Sequence, residues 1–492
     1  MTDYGEPDWS QVPSRTINDE IEAYMPISPT STPREAIIMR TLSSILEADP
    51  QFDVNNDLES AVKGLDQFRG DQILADEAWE AFASAYLTSS EKGVRRPSAQ
   101  AHDYIIPFHS RIPLHIKTGE PRDWGRFYRM LMTDGEVSGF NTELHEKLKG
   151  KYTDLRPSNT VEELVISAVD ELVVTADSAG EPSDLEDDSP EIGITPYVPD
   201  ISEVFQQDLR SWLSMLDDEP SALWLQTLKD LVCFHYMMYM MQLGRNLAIE
   251  YDHAKEGSLS EFSPKCRPIH FGMWDEKASK TREFANEWND ERLAGEIYDS
   301  WGKLVVMRIL TEMTTKDDSE AKPQPLTLAE AVTNTSPEFQ ERCRIGLLDE
   351  FPSKDRPDDT DAPTLIEAAR MLDHAVRRYN SRKPNRKSQS AFTMGYNVIR
   401  QLANGRERKY LRVQPGQAGT NSRLNQGALR LFARLFEQES TDGHLRKLFQ
   451  YLERRGIRLD EESKDQMIQQ LDQMSLLNKM SDSKEAIYVE SI

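Results

Sequence analysis

Between Leu231 and Leu243 the chain reads LVCFHYMMYMMQL. Wound as a helix, this stretch is apolar nearly all round and has no polar face to turn toward water. Such a helix is stable only when other elements cover every side, so it predicts a central helix in a helical assembly. It is too short to span a bilayer, and it carries His235, Tyr236, Tyr239 and Gln242. Upstream, Leu209, Trp212, Leu213, Leu216, Leu223, Trp224, Leu228, Leu231 and Val232 recur at helical spacing, and residues 301–313 give a further strong helix. Residues 201–350 therefore read as a central helical domain, and the chain as a mainly α, multi-domain protein.

The remaining divisions follow composition. Residues 1–35 are rich in Pro, Ser, Thr and Asp and read as a flexible arm. An N-terminal helical region is expected over 36–177, from Ile37, Ile38, Leu42, Ile45 and Leu46, from Leu74, Trp79, Phe82 and Tyr86, and from helical patterns at 124–132 and 161–172. Residues 178–200 include EPSDLEDDSPEIG, too polar to offset its ordering entropy, and read as an acidic linker. A second acidic break is expected at 351–363 (FPSKDRPDDTDAP), followed by a basic helical region over 364–440. Within it, 411–424 reads as loop or short strands and 427–436 as an amphipathic helix. The last segment, 441–492, begins with a helical stripe of Leu445, Leu448, Phe449 and Leu452. Gly456 supplies a stop just after Arg454 and Arg455. Asp460 is placed to cap a second helix bearing Met467, Ile468 and Leu471. Two apolar runs, 476–480 and 486–489, then read as strand, turn, strand. Helix, turn, helix and hairpin together predict a winged-helix-like domain.

Charge divides the chain more sharply than hydropathy does. From Arg370 to Arg455 there are 19 Lys and Arg against 6 Asp and Glu, a net +13, while the whole chain carries −26. The remainder thus carries −39. Two basic clusters stand out: Arg377, Arg378, Arg382, Lys383, Arg386 and Lys387, and then Arg406, Arg408, Lys409 and Arg412 beside Tyr410. This density suits phosphate neutralisation, and guanidinium forks match phosphate geometry. With Arg454 and Arg455 these residues form the expected DNA-binding set. The competing reading is a basic face paired with the chain's own acidic body. The second helix of the C-terminal segment opens with Asp460, Glu461, Glu462 and Asp465 against Lys464, a face that phosphate repels. That module is suited to protein contact as much as to DNA.

No enzyme site is evident in the sequence. There is no phosphate-binding G-x-x-x-x-G-K-[ST] loop, no G-x-S-x-G and no H-E-x-x-H. Cys266 and His270 have a ligand-like spacing but lack a second pair, and His109 and His115 are equally alone. The 460–464 run DEESK contains the carboxylate and lysine types of a nuclease, but lies on an expected helix rather than on strands. No metal, cofactor or catalytic residue is assigned. Cys233, Cys266 and Cys343 are odd in number and far apart, which fits a reducing compartment; the expected location is the cytoplasm, with no membrane association.

The run from Leu445 to Val489 resembles the end of the DptG (DndG) family of DNA phosphorothioation-dependent restriction proteins. The similarity lies in LERRGIRLD at 452–460, in Leu476-Leu477, and in Ser481-Asp482-Ser483 followed by Ala486-Ile487-Tyr488-Val489. The family prefers a Gly-Asp pair after Ser-Asp-Ser, where this chain has Lys484-Glu485. The aromatic FHYMMYM helix is loosely similar as well. The resemblance implies a non-catalytic DNA-binding and scaffolding subunit of an antiviral defence complex, acting with ATPase and helicase or translocase partners. A divergent metal-dependent nuclease and a winged-helix regulator or scaffold are the alternatives.

Overall fold

The computed structural model describes residues 41–42, 44–45, 52–53, 116–117, 124–133, 139–153, 195–216, 221–277, 282–288, 292–315, 325–351, 356–381, 399–400, 402–403, 410–413, 420–440, 442–479 and 487–489. In chain order these form β1 (Phe52–Asp53), β2 (Ile116–Lys117), α1 (Trp124–Leu131), α2 (Thr142–Thr153), α3 (Pro199–Met215), α4 (Ser221–Glu256), β3 (Ile269–Met273), α5 (Glu283–Asn286), α6 (Leu293–Thr315), α7 (Leu328–Thr333), α8 (Pro337–Asp349), α9 (Leu365–Ser381), β4 (Leu411–Val413), β5 (Thr420–Leu424), α10 (Gln426–Glu439), α11 (Leu445–Arg454), β6 (Ile457–Leu459), α12 (Glu461–Gln473), β7 (Leu477–Lys479) and β8 (Ile487–Val489). The described protein is mostly helical, as the periodicity predicts. The flexible arm, most of the 178–200 linker and the helical patterns at 74–86 and 161–172 lie outside the described residues.

The all-round apolar stretch does become a central helix. Residues 230–244 of α4 are buried without interruption. Aromatic side chains surround them: Trp124 and Phe127 of α1 pack on Tyr236, Phe205 of α3 on His235, and Phe432 of α10 on Phe234. The polar tips within this stretch are satisfied. Tyr236 shares a 2.9 Å hydrogen bond with Thr41, and Tyr239 accepts one of 2.9 Å from the Tyr197 amide. At Gly244 the neighbouring α6 passes so close that an added Cβ would stand 3.1 Å from the Ile297 Cα. A larger residue would push the two helices apart.

Two apolar cores share α4 and α6. The larger gathers α1, α3, the first two thirds of α4, α10, α11, α12 and strands β3 to β8. The smaller joins Tyr251 and Ala254 at the end of α4 with α6 through α9. Capping is local and follows the side chains. Thr327 and Glu330 form a reciprocal capping box on α7, Ser336 caps α8 just before Pro337, and Asn425 caps α10.

Sequence periodicity does not predict the four-stranded sheet, whose order is β4-β5-β3-β6. β3 pairs in parallel with both β5 and β6, and β4 closes one side as an antiparallel neighbour of β5. The C-terminal segment follows the expected element order, with β7 and β8 antiparallel. In addition, the Val489 amide donates to Gly443 O at 2.8 Å, and His444 bridges Tyr488, so residues 443–444 add a third edge to the hairpin. The turn between α11 and α12 is itself strand β6. It carries the C-terminal segment into the central sheet rather than leaving it beside the body. Among the described residues no helix is long and apolar enough to cross a membrane.

Candidate nucleic-acid interface

Only four of the expected DNA-binding cations, Arg377, Arg412, Arg454 and Arg455, have side chains among the described residues. Arg382, Lys383, Arg386, Lys387, Arg406, Arg408 and Lys409 lie outside the described residues, as does the side chain of Arg378 at the end of α9. Arg377 and Arg454 are at the surface but engaged with acids of the same chain. Arg377 donates to Asp299 at 2.8 Å and to Asp373 at 2.6 Å, and Arg454 pairs with Glu439. Arg412, on β4, donates to the Trp274 carbonyl at 2.9 Å and packs its guanidinium 5.7 Å from the indole centroid.

Arg455 corrects an expectation. Its side chain is 0% exposed, so it cannot reach a DNA phosphate. Gly456 takes φ +78° and turns the chain sharply after α11, which folds Arg455 inward. There its Nε donates 2.9 Å to Asp208 Oδ2, its Nη2 bonds Asp208 Oδ1, and its Nη1 donates 2.9 Å to the Tyr451 carbonyl. Tyr451 and His235 complete the carboxylate's shell at 3.0 and 2.8 Å. Burial alone would raise the Asp208 pKa, but Arg455 and the bond from His235 outweigh it and hold the carboxyl at about 2. Burial lowers the His235 pKa, so the ring is neutral and its Nε2 carries the hydrogen that the ionised carboxylate accepts. The basic pair before Gly456 thus splits. Arg454 remains outside, and Arg455 ties α11 to α3 and α4 through a buried ion pair.

The cap of α12 is occupied in a second way. Asp460 accepts from the Ser463 amide at 2.9 Å, as the sequence predicts. Arg282, from the segment between β3 and α5, closes over this cap. It donates to both Asp460 oxygens at 2.8 Å, to Ser463 Oγ at 2.8 Å and to Glu276 at 3.2 Å, and pairs with Glu462 at 2.9 Å. Burial raises the Asp460 pKa, but the bonds from Arg282 and Ser463 prevail and hold it below the usual carboxylate range. The N-terminus of α12 is therefore held against the sheet edge. In a helix-turn-helix protein the residues there read base edges. Glu461, Glu462, Asp465 and Asp472 lie on the exposed face of α12.

Exposed cations instead lie on α11 and β6. Arg446, Lys447, Arg454 and Arg458 face solvent, with Lys447 held 2.6 Å from Asp442. Arg423, on β5, lies inside the basic region, but nothing in its sequence neighbourhood singles it out. It is fully buried and donates from Nη1 to the carbonyls of Met273, Trp274 and Glu276 at 3.2, 2.8 and 2.5 Å. The signal that reveals it is the strand register, which places it opposite Gly272.

The ligand-like Cys266 and His270 pair is separated in function. His270 lies 3.1 Å from Glu287, which Arg245 also holds, while the Cys266 amide donates to Asp200 at 2.7 Å. Burial pushes the Cys266 thiol up to about 12. No group of three or more metal-ligating side chains occurs among the described residues. No protein-family model matches the chain, and no curated protein matches it.

Proposed function

We propose that the protein is a DNA-binding and scaffolding subunit of a phosphorothioation-dependent restriction complex, working with ATPase and helicase or translocase partners rather than performing chemistry itself. The observation that carries this reading is the path of the last seventy residues. Helix α10, the 443–444 edge, α11, α12 and the β7–β8 pair occur in the order of a winged helix, with the first edge bridged to the last strand. Together with the resemblance at 445–489, that order supports a DNA-associated module.

The same region supports backbone contact over base reading. The α12 cap is filled by Arg282 and its outer face is acidic, whereas α11 and β6 present Arg446 and Arg458. Phosphate contacts position a protein on DNA without reading sequence. The basic clusters at 382–387 and 406–409 add charge on the same stretch of chain. The scaffolding half of the proposal draws on the two cores that α4 and α6 bind into one frame.

A salt series with short duplex DNA tests this reading. The wild type is compared with a variant carrying Arg382→Ala, Lys383→Ala, Arg386→Ala and Lys387→Ala. The expected result is a steep fall of log K with log salt, shallower in the variant by about 0.9 for each phosphate that it no longer neutralises. If the wild type shows no binding at about 50–100 mM salt, where phosphate contacts are still strong, the DNA half of the reading is wrong and a protein scaffold remains.

A further inference from the structure

Helix α11 buries one side and leaves the other open. Leu445, Leu448, Tyr451 and Leu452 are buried, Phe449 is half-buried, and Arg446, Gln450 and Glu453 are exposed. Arg446, Phe449, Gln450 and Glu453 stand at i, i+3, i+4 and i+7, which puts them on one face of the helix. Among the described residues the side chains of Arg446 and Glu453 have no hydrogen-bond or ion-pair partner. Charges nearby are matched instead: Lys447 with Asp442, Arg454 with Glu439 and Lys464 with Glu461. Phe449 fills the middle of the face, with the Lys464 ammonium 5.7 Å from its ring centroid.

The two unmatched charges are placed against the helix that carries them. A helix is stabilised by acids in its first turn and by cations in its last. The first turn of α11 holds no acid and carries Arg446, while Glu453 lies in its last turn. Within one chain this order is unfavourable, and no contact of either side chain offsets it. Beside a second α11 that runs the other way it becomes favourable. The four positions are symmetric about the midpoint between Phe449 and Gln450: Arg446 mirrors Glu453, and Phe449 mirrors Gln450. A two-fold axis through that midpoint sets Arg446 of each copy against Glu453 of the other, and Phe449 of each against Gln450 of the other, with the helix dipoles opposed. A parallel pair would set Arg446 against Arg446.

We propose that the exposed face of α11 is a dimer contact, occupied by α11 of a second copy in antiparallel orientation, with two Arg446–Glu453 ion pairs around a Phe449 centre. A pair of ten-residue helices buries less than a standard interface, so the dimer is of the transient class and exchanges with monomer. The proposal does not depend on the DNA-binding reading. Where both hold, duplex DNA and the second copy compete for Arg446, and Arg458 on β6 stays open.

Sedimentation equilibrium of the full chain over about 1–100 μM tests the contact. It is run at about 100 mM salt, where a Debye length of about 10 Å screens the net charge of −26 between copies but not pairs in contact. The average mass of the wild type is expected to rise from 56.4 kDa toward twice that value. Arg446→Glu and Glu453→Arg each turn both attractive pairs into repulsive ones, and each should raise the dimer Kd about tenfold. Both changes suit the dipole of α11 and both sites are exposed, so the monomer fold is kept. Two combinations separate this pairing from any other. The double variant Arg446→Glu/Glu453→Arg, and an equimolar mixture of the two single variants, both restore opposite charges across the axis. Each should recover wild-type association. A mass fixed at 56.4 kDa over the whole range overturns the proposal. So does a dimer that neither single change weakens, which would form through another surface. A loss that the double variant or the mixture fails to recover overturns it as well.

Discussion

Asp208 is held by Arg455, His235 and Tyr451 inside the protein, and all its charge is balanced there. Replacing it with Asn would leave the Arg455 guanidinium buried beside a neutral amide. Breaking one side of a buried ion pair costs about 3–5 kcal/mol, so Asp208→Asn should lower the urea midpoint strongly at neutral pH. Because the folded carboxyl titrates at about 2 and the ordinary value is 3.8, its contribution is complete above pH 3.8 and disappears as pH falls through 2. Glu250 behaves in the opposite sense. It accepts from Tyr197 OH and from the Ala329 amide, each at 2.8 Å, and burial raises its pKa to about 7 from 4.5. Between these values the folded protein holds a proton that the unfolded chain releases, so stability falls as pH rises from 4.5 through 7. Glu250→Gln should flatten that slope, removing on the order of 2–3 kcal/mol of difference, which melting curves at pH 5 and pH 8 would show. A variant as pH-dependent as the wild type would contradict the assignment.

At the level of elements, the positions most legible in the sequence are those where local chemistry decides the outcome. Gly456 stops α11, Asp460 caps α12, and the LVCFHYMMYMMQL stretch is the buried centre of α4. These follow from one residue's conformational freedom, one short hydrogen bond or one hydrophobic pattern. The sheet does not follow from the sequence because its strands are three to five residues long and their partners are distant. β3 meets Arg423 and Ile457 across some 150 and 190 residues, and no period records such a meeting. Arg455 reads as a surface cation for the same reason. Its sequence neighbours suggest exposure, and only the turn at Gly456 and the distant Asp208 bring it inward. Gly456→Ala tests that turn. The residue has φ +78°, and an added Cβ would stand 2.8 Å from Met238 Cε and 3.1 Å from Cys266 Sγ. Backbone strain and crowding together should cost about 2–4 kcal/mol, read by chemical denaturation. A change below about 0.5 kcal/mol, the range of neutral surface substitutions, would show that the turn is not under strain.

Over the whole molecule, the 440/441 division expected from composition is crossed by strong contacts. β6 pairs with β3, Arg455 with Asp208, and Asp460 with Arg282. Expressed alone, residues 441–492 should therefore lack cooperative thermal unfolding, and a chain ending at 440 should be destabilised well beyond the loss of a hairpin. An isolated segment that melts cooperatively would show that the winged-helix-like order folds on its own. The charge division also acts at this scale. Of the cations between Arg370 and Arg455, Arg377, Lys447, Arg454 and Arg455 already pair with acids of the same chain, so the net charge of the segment overstates its unpaired positive charge.

The parallel pairing of β3 with β6 has a consequence for synthesis. β3 leaves the ribosome about 180 residues before β6 exists, an interval of roughly ten to forty seconds at 5–20 residues per second. During that time one edge of β3 has no strand to pair with, and its hydrogen-bonding groups stand open in a crowded cell. A premature stop after β3 and before Ile457 releases a chain with that edge still open. Chains truncated between β3 and β6 are thus expected to aggregate more readily than the full chain, which light scattering of the two would show.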